Sequence, residues 1–276
     1  MFQFKRPTLT LLSAVLGAGA ASGQYADAVI DYQPGALSGS FTNFTLAPAA
    51  LGEPSRVTPG PFGGPVDPFS PPYLNSQVVS IGSGGWLTLR LDAPILNDPA
   101  HPFGVDFLLF GNAGFVITNG DFSGGGITDG TLFGANSGLS KISVSPDNVN
   151  WYGLDPALAP LVDALYPTDG SGDFSMPVNP AISAADFAGR DLAGLRALYG
   201  GSGGGASFDL AWARDTNGAP VSLTSVHFVR VDMLGGHGEI DGIAVVPEPG
   251  VGVLCLAGAG AAVAWAGFRR CWRRGK

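Results

Sequence analysis

Apolar and polar positions along the middle of the chain follow the period of strands rather than that of helices. Leu87, Leu89 and Leu91 alternate with Thr88 and Arg90. A period of two places one face of a strand in a core and the other in water. His227, Val229 and Val231 alternate in the same way with Phe228 and Arg230. Phe107-Leu108-Leu109-Phe110 is continuously apolar, as a strand covered on both faces should be. These runs predict strands over 86–91, 106–110, 141–144, 208–212, 226–231 and 240–245, separated by clusters of Gly, Pro, Asn and Asp. Many short strands at such spacing predict an all-β body, a β-sandwich or jelly roll with long Gly/Pro-rich loops. One short helix is expected over 184–198. Phe187, Leu195 and Leu198 fall along one side of it, Ser183 can cap it, and Gly200-Gly201 ends it. Residues 53–72 carry seven prolines, which predicts a surface loop unable to pair in a sheet. Residues 120–138 form a second long loop. Within it, Gly124-Gly125-Gly126-Ile127-Thr128-Asp129 touches a calcium-binding repeat pattern but lacks the second glycine pair and any repetition.

The pattern changes character at both ends. Lys5 and Arg6 precede an apolar run over 9–20, and Ala21-Ser22-Gly23 offers small residues for cleavage. Residues 1–23 therefore read as a secretory signal peptide, carried by the Sec translocon and removed by signal peptidase before Gln24; the alternative is a retained N-terminal anchor. At the other end Val246, Pro247, Glu248 and Pro249 precede an apolar stretch over 250–268. Its 19 residues are enough for a transmembrane helix across roughly 30 Å of hydrocarbon. Arg269, Arg270, Arg273 and Arg274 follow and would be held on the cytoplasmic side. Pro247 and Pro249 keep the chain before the span extended, leaving Glu248 accessible.

Residues 246–276 resemble the PEP-CTERM sorting signal of Gram-negative bacteria, with the Pro-Glu-Pro triplet, the span and the arginine cluster in that order. The resemblance implies recognition by an exosortase, a membrane protease that cleaves near the triplet, in a producer of exopolysaccharide. The alternative is a plain tail anchor in the inner membrane. The body carries a second resemblance, in Gly84-Gly85-Trp86-Leu87-Thr88-Leu89, then Asp106 to Asn112, then Ile142 to Trp151, Phe208-Asp209-Leu210-Ala211, and Glu239 to Val245. That order is similar to bacterial secreted cell-surface proteins whose domain is a discoidin-like, galactose-binding-like jelly roll. The Ser145-Pro146-Asp147-Asn148 segment before Trp151 reads as a hairpin turn. The chain departs from that pattern with Asn148 where Gly is usual, and with Gly111 where an acidic residue often follows the Phe. Sugar binding does not come with the resemblance.

Composition narrows the function. Charged residues are only 13% and hydrophobic ones 45%, so the Gly- and Pro-rich segments are not those of a disordered chain. Seven of the 14 basic residues lie at the ends: Lys5, Arg6, Arg269, Arg270, Arg273, Arg274 and Lys276. The other seven share the region between with all 22 acidic residues. Such a field repels phosphate backbones and excludes nucleic acid as a partner. Both cysteines, Cys255 and Cys271, lie in the tail, which leaves the body no disulfide, thiol nucleophile or cysteine-ligated zinc.

His101, His227 and His237 show no metal-ligand spacing, and the Gly-rich run over 200–205 lacks the Lys-Ser/Thr of a phosphate loop. The chain is not expected to be an enzyme; a hydrolase built on two carboxylates is the enzymatic alternative. Asp106, Glu239 and Asp241 open strands and are the candidate metal ligands, for a structural calcium ion; the alternative is carboxylates that bond backbone N–H groups at turns. Glu239 and Asp241, two apart, would share one side of a strand. The expected organisation is a signal peptide over 1–23, a body over 24–245 and a sorting signal over 246–276. The expected role is structural or adhesive, at the cell surface or in the extracellular matrix of a biofilm or envelope, with exopolysaccharide as a partner. The rival is a carbohydrate-binding module, for which Trp86, Trp151, Trp212, Tyr73 and Phe62 are the candidate stacking residues, with core packing the alternative for each.

Overall fold

The structure, a computed structural model, describes residues 24–248. The expected signal peptide, Pro249, the apolar span and the arginine cluster lie outside the described residues. Among the described residues, no helix is long and apolar enough to cross a membrane.

Among the described residues the chain is mostly strand, with one α-helix and open sheets. Its strands in chain order are β1 (Ala28–Gln33), β2 (Val79–Gly82), β3 (Trp86–Leu96), β4 (Phe107–Phe110), β5 (Ser140–Ser145), β6 (Tyr152–Leu154), β7 (Ala206–Phe208), β8 (Ala213–Arg214), β9 (Ser225–Met233), β10 (His237–Ile240) and β11 (Gly242–Val245). Two-residue ladders join several loops besides. One antiparallel sheet runs β1-β3-β9-β5-β6-β8. A second runs β7-β4-β11, and β10 pairs with β2.

The alternation read from the sequence fixes which face meets which. Leu87, Leu89 and Leu91 of β3 and Val229, Val231 and Met233 of β9 are all buried, and they pack in one cluster with Val79, Ile81, Phe107, Leu109, Ile240 and Ile243. Each such side chain contributes on the order of 2 kcal/mol by leaving water. All four residues of β4 are buried, as the unbroken apolar run predicts. Leu108 and Phe110 turn away from the main cluster to meet Phe174 and Ala244, which explains why no position there is polar.

Six expectations need correcting. The helix α1 spans Leu192–Tyr199 rather than 184–198. Gly189 breaks the run with φ +74°, a conformation that suits a residue without Cβ. The next two residues, Arg190–Asp191, pair with Ile127–Thr128. Ser183 caps only a 3-10 turn, Ala184–Phe187, while Asp191 caps α1 by accepting from the Gly194 N–H at 2.8 Å. Gly200, at φ +63°, ends the helix as expected.

The strand expected over 208–212 stops at Phe208, because Asp209 accepts from the Ala211 N–H and opens a 3-10 turn at Leu210–Trp212. The strand over 240–245 is two strands broken at Asp241, whose carboxylate takes both donors of Ser55. The proline-rich loop does pair, though only with itself, as Val57–Thr58 against Gly64–Pro65. His227 does not share the face of Val229. The register of β9 shifts between Val226 and Phe228, so Val226 takes the inward position, and the His227 ring lies 2.9 Å from the Leu91 carbonyl oxygen. His237, expected in a flexible turn, opens β10.

Candidate functional site

The metal-ligand residues expected from the sequence are buried but not gathered. Asp106 precedes β4 and Asp241 precedes β11, and these two strands run antiparallel. Asp241 therefore sits beside Phe110, to whose carbonyl its N–H donates, while the Asp106 carbonyl accepts from the Val246 N–H. The two lie at opposite ends of one ladder, roughly 15 Å apart at strand rise. Asp106 accepts from the Leu210 N–H at 2.8 Å, and His101 Nδ1 lies 2.8 Å from its other oxygen. Burial pushes the Asp106 carboxyl up, partly offset by the bonds from Leu210, His101 and Asp98. Asp241 accepts from the Ser55 N–H at 2.7 Å and from Ser55 Oγ at 2.8 Å. Burial pushes its carboxyl up to about 7 against those two bonds. Glu239 takes Ser80 Oγ at 2.9 Å.

Asp163, which the sequence reading did not select, lies against Glu239. Its Oδ2 accepts from the Glu239 N–H at 3.3 Å, its Oδ1 accepts from the Ala113 N–H at 2.7 Å, and its carbonyl accepts from the Asn136 N–H. The two carboxyls are within hydrogen-bond reach of each other. Burial first, and then the charge of Glu239, raise Asp163 well above the usual carboxylate range, and burial raises Glu239 as well. No spacing in the sequence announces this pair, since 76 positions separate its members. Among the described residues, no group of three or more His, Cys, Asp and Glu side chains is placed to hold a metal.

The surface feature best built for a ligand is an aromatic groove over the proline-rich loop. Its volume is about 450 Å³, and Phe62, Phe69, Tyr73 and Phe133 line it with Asp67 and Ser70. The Val57–Thr58 ladder turns tightly at Gly63, where a Cβ would overlap the Thr58 carbonyl. That turn presents Phe62, which is 91% exposed. Tyr73 Oη donates to the Phe62 carbonyl at 2.9 Å and fixes one wall. Asp67 Oδ1 accepts from the N–H groups of Phe69 and Ser70 and shapes the floor. Burial raises the Asp67 carboxyl against those two bonds. Phe133 is set opposite by its ladder with Gly114, and its ring lies over Gly114 where a Cβ would overlap it. Exposed aromatic faces beside carboxylate and hydroxyl acceptors can stack on the C–H face of a sugar ring and accept from its hydroxyls.

Of the aromatics singled out in the sequence, the structure brings Phe62 and Tyr73 together and adds Phe69 and Phe133. The other three are elsewhere. Trp86 donates from Nε1 to Asp31 at 2.7 Å and lies under the Arg230 guanidinium, 4.6 Å from the ring. Trp212 packs against the core. Trp151 lines a separate groove of about 530 Å³ with Lys141 and Arg214.

The sorting residues divide at the edge of the body. Val246 is buried and donates its N–H to the Asp106 carbonyl at 2.9 Å, whereas Pro247 and Glu248 are exposed. Compared with known protein families and with curated proteins, the chain matches none.

Proposed function

We propose that the chain is an exported cell-surface or extracellular-matrix protein of a Gram-negative bacterium, held briefly in the inner membrane and cut free at its C-terminus by an exosortase. Its body is a β-sandwich of the discoidin-like jelly-roll type, and its role is structural or adhesive, in contact with exopolysaccharide. One observation carries the reading. The backbone is pinned through Val246, and the next two residues, Pro247 and Glu248, are exposed. A protease that reads a Pro-Glu-Pro triplet would meet it at the first residues free of the fold. Cleavage there would leave every described strand intact, since β11 ends at Val245. Gln24, the first residue expected after signal-peptide removal, accepts from the Val245 N–H, so both trimmed ends would lie together at one edge. The packing of two open sheets around one core supports the sandwich reading.

The experiment is the intact mass of the mature protein from its native cells, together with the fraction that yields it. A mass lacking both ends, cut near Gln24 and near Pro247, from the surface or the medium, is the expected result. A mass retaining Lys276, from the inner membrane, would overturn the exosortase reading.

The aromatic groove favours a second reading, a carbohydrate-binding module. The same mature protein, applied to a glycan array beside Phe62→Ala, decides it. Signal lost in the variant supports a sugar site there, and silence of the native protein removes that reading.

A further inference from the structure

Two carboxyl groups pressed together in an apolar interior are unfavourable unless something positive lies between them. Asp163 is 5% exposed and Glu239 is 1% exposed. Among the described residues, no ion pair reaches either one. Glu239 Oε1 has Ser80, but Oε2 is buried with no hydrogen-bond partner. The Asn136 amide nitrogen, near Gly238, is unpartnered too and supplies nothing to the pair. His237, two residues before Glu239, has its Nδ1 engaged with Ser137 Oγ at 3.0 Å. Among the described residues, Glu239 Oε2 is therefore left buried with no hydrogen-bond partner and no ion pair.

The backbone is shaped to keep this arrangement. Asp163 sits at φ +51°, a conformation an L-residue holds only under constraint. Gly111 lies against its carboxyl, where any Cβ would overlap it.

We propose that Asp163 and Glu239 are ligands of a buried divalent cation of the calcium class, bound between β10 and the 111–113 loop. An all-oxygen donor set carrying two carboxylates and no thiolate suits a hard cation rather than a transition metal. The ion takes the place of the single shared proton that would otherwise keep the two carboxyls together. Of the residues expected from the sequence, Glu239 is kept, and its partner is Asp163 in place of Asp106 and Asp241. The site is independent of the sorting signal and of the aromatic groove.

The test is thermal unfolding of the purified full-length chain in detergent near neutral pH, with excess chelator against millimolar calcium. It is repeated for Asp163→Asn and Glu239→Gln, and calorimetric titration of calcium supplies the stoichiometry. The expected result is a native Tm several degrees higher with calcium, one ion bound per chain, and no calcium shift in either variant. Should a variant fail to fold, the native titration still decides. A native Tm indifferent to calcium and chelator, and falling as pH rises, would mean a shared proton only and would overturn the proposal. Variants that keep the calcium shift would also overturn it.

Discussion

Asp241 provides a quantitative test of how burial is balanced in this fold. Its carboxyl is pushed up to about 7 by burial, against the two bonds from Ser55. The value in the unfolded chain is near 3.8. The folded state therefore holds a proton that the unfolded state has released between about pH 4 and pH 7. Stability associated with this group is fully present below the lower value and is lost as pH rises through the upper one. A displacement of this size corresponds to about 4 kcal/mol at most, a large share of the ~5–15 kcal/mol that holds a domain.

Asp241→Asn removes the titration while keeping the shape. The amide oxygen can accept from the Ser55 N–H, and the amide nitrogen can face Ser55 Oγ. Urea unfolding of the native protein and the variant, measured in steps across this range, should give similar stabilities at the acid end. The variant should be progressively more stable towards the alkaline end, with a Tm roughly 10 °C higher if the full energy is realised. The Asp163–Glu239 pair is common to both proteins, so their difference isolates Asp241. Curves that run parallel across the whole range would refute the assignment of a buried, proton-holding carboxyl.

Two further outcomes follow from backbone geometry. Gly111→Ala should destabilise the fold by about 1–3 kcal/mol, because its Cβ would overlap the Asp163 carboxyl; an unchanged urea midpoint would remove Gly111 from that contact. Asn148 sits at φ +59° in the turn between β5 and β6, so Asn148→Val should lower stability by about 1 kcal/mol or more, and Asn148→Gly should be close to neutral. Equal effects of the two would refute the strain argument.

What the sequence disclosed was local and periodic. The strand with Leu87, Leu89 and Leu91 could be read because its period is set by one buried face, and 107–110 because it is buried on both. The Ser145 to Trp151 hairpin could be read because Asp147 closes the turn within itself, accepting from the N–H groups of Val149 and Asn150. These bonds, Asn150's first, hold the Asp147 carboxyl down to about 2. The misplaced features depend on distant partners. Residues 184–191 do not continue the helix because Arg190–Asp191 pair with a loop some 60 positions earlier. The strand over 240–245 breaks because Ser55, 186 positions away, takes the Asp241 carboxylate.

The candidate sites follow the same division. Phe62 and Tyr73 could be picked as aromatics in a proline-rich loop, but nothing in that loop names Phe133 as the opposite wall. Glu239 could be picked as a carboxylate opening a strand. Asp163 lies in a stretch with no periodic pattern, and only the folded chain sets it beside Glu239.

The way the body ends at Val246 also governs how it bears force. A pull applied at Glu248 along the axis of β11 meets the whole β4 ladder and the Val245 contact with Gln24 at once, with the Tyr25–Ala244 bridge beside them. These bonds lie across the direction of pull, so they are loaded in shear and share the strain instead of opening one after another. The last strand is thus arranged as a mechanical clamp, able to transmit tension into the core without peeling from its edge.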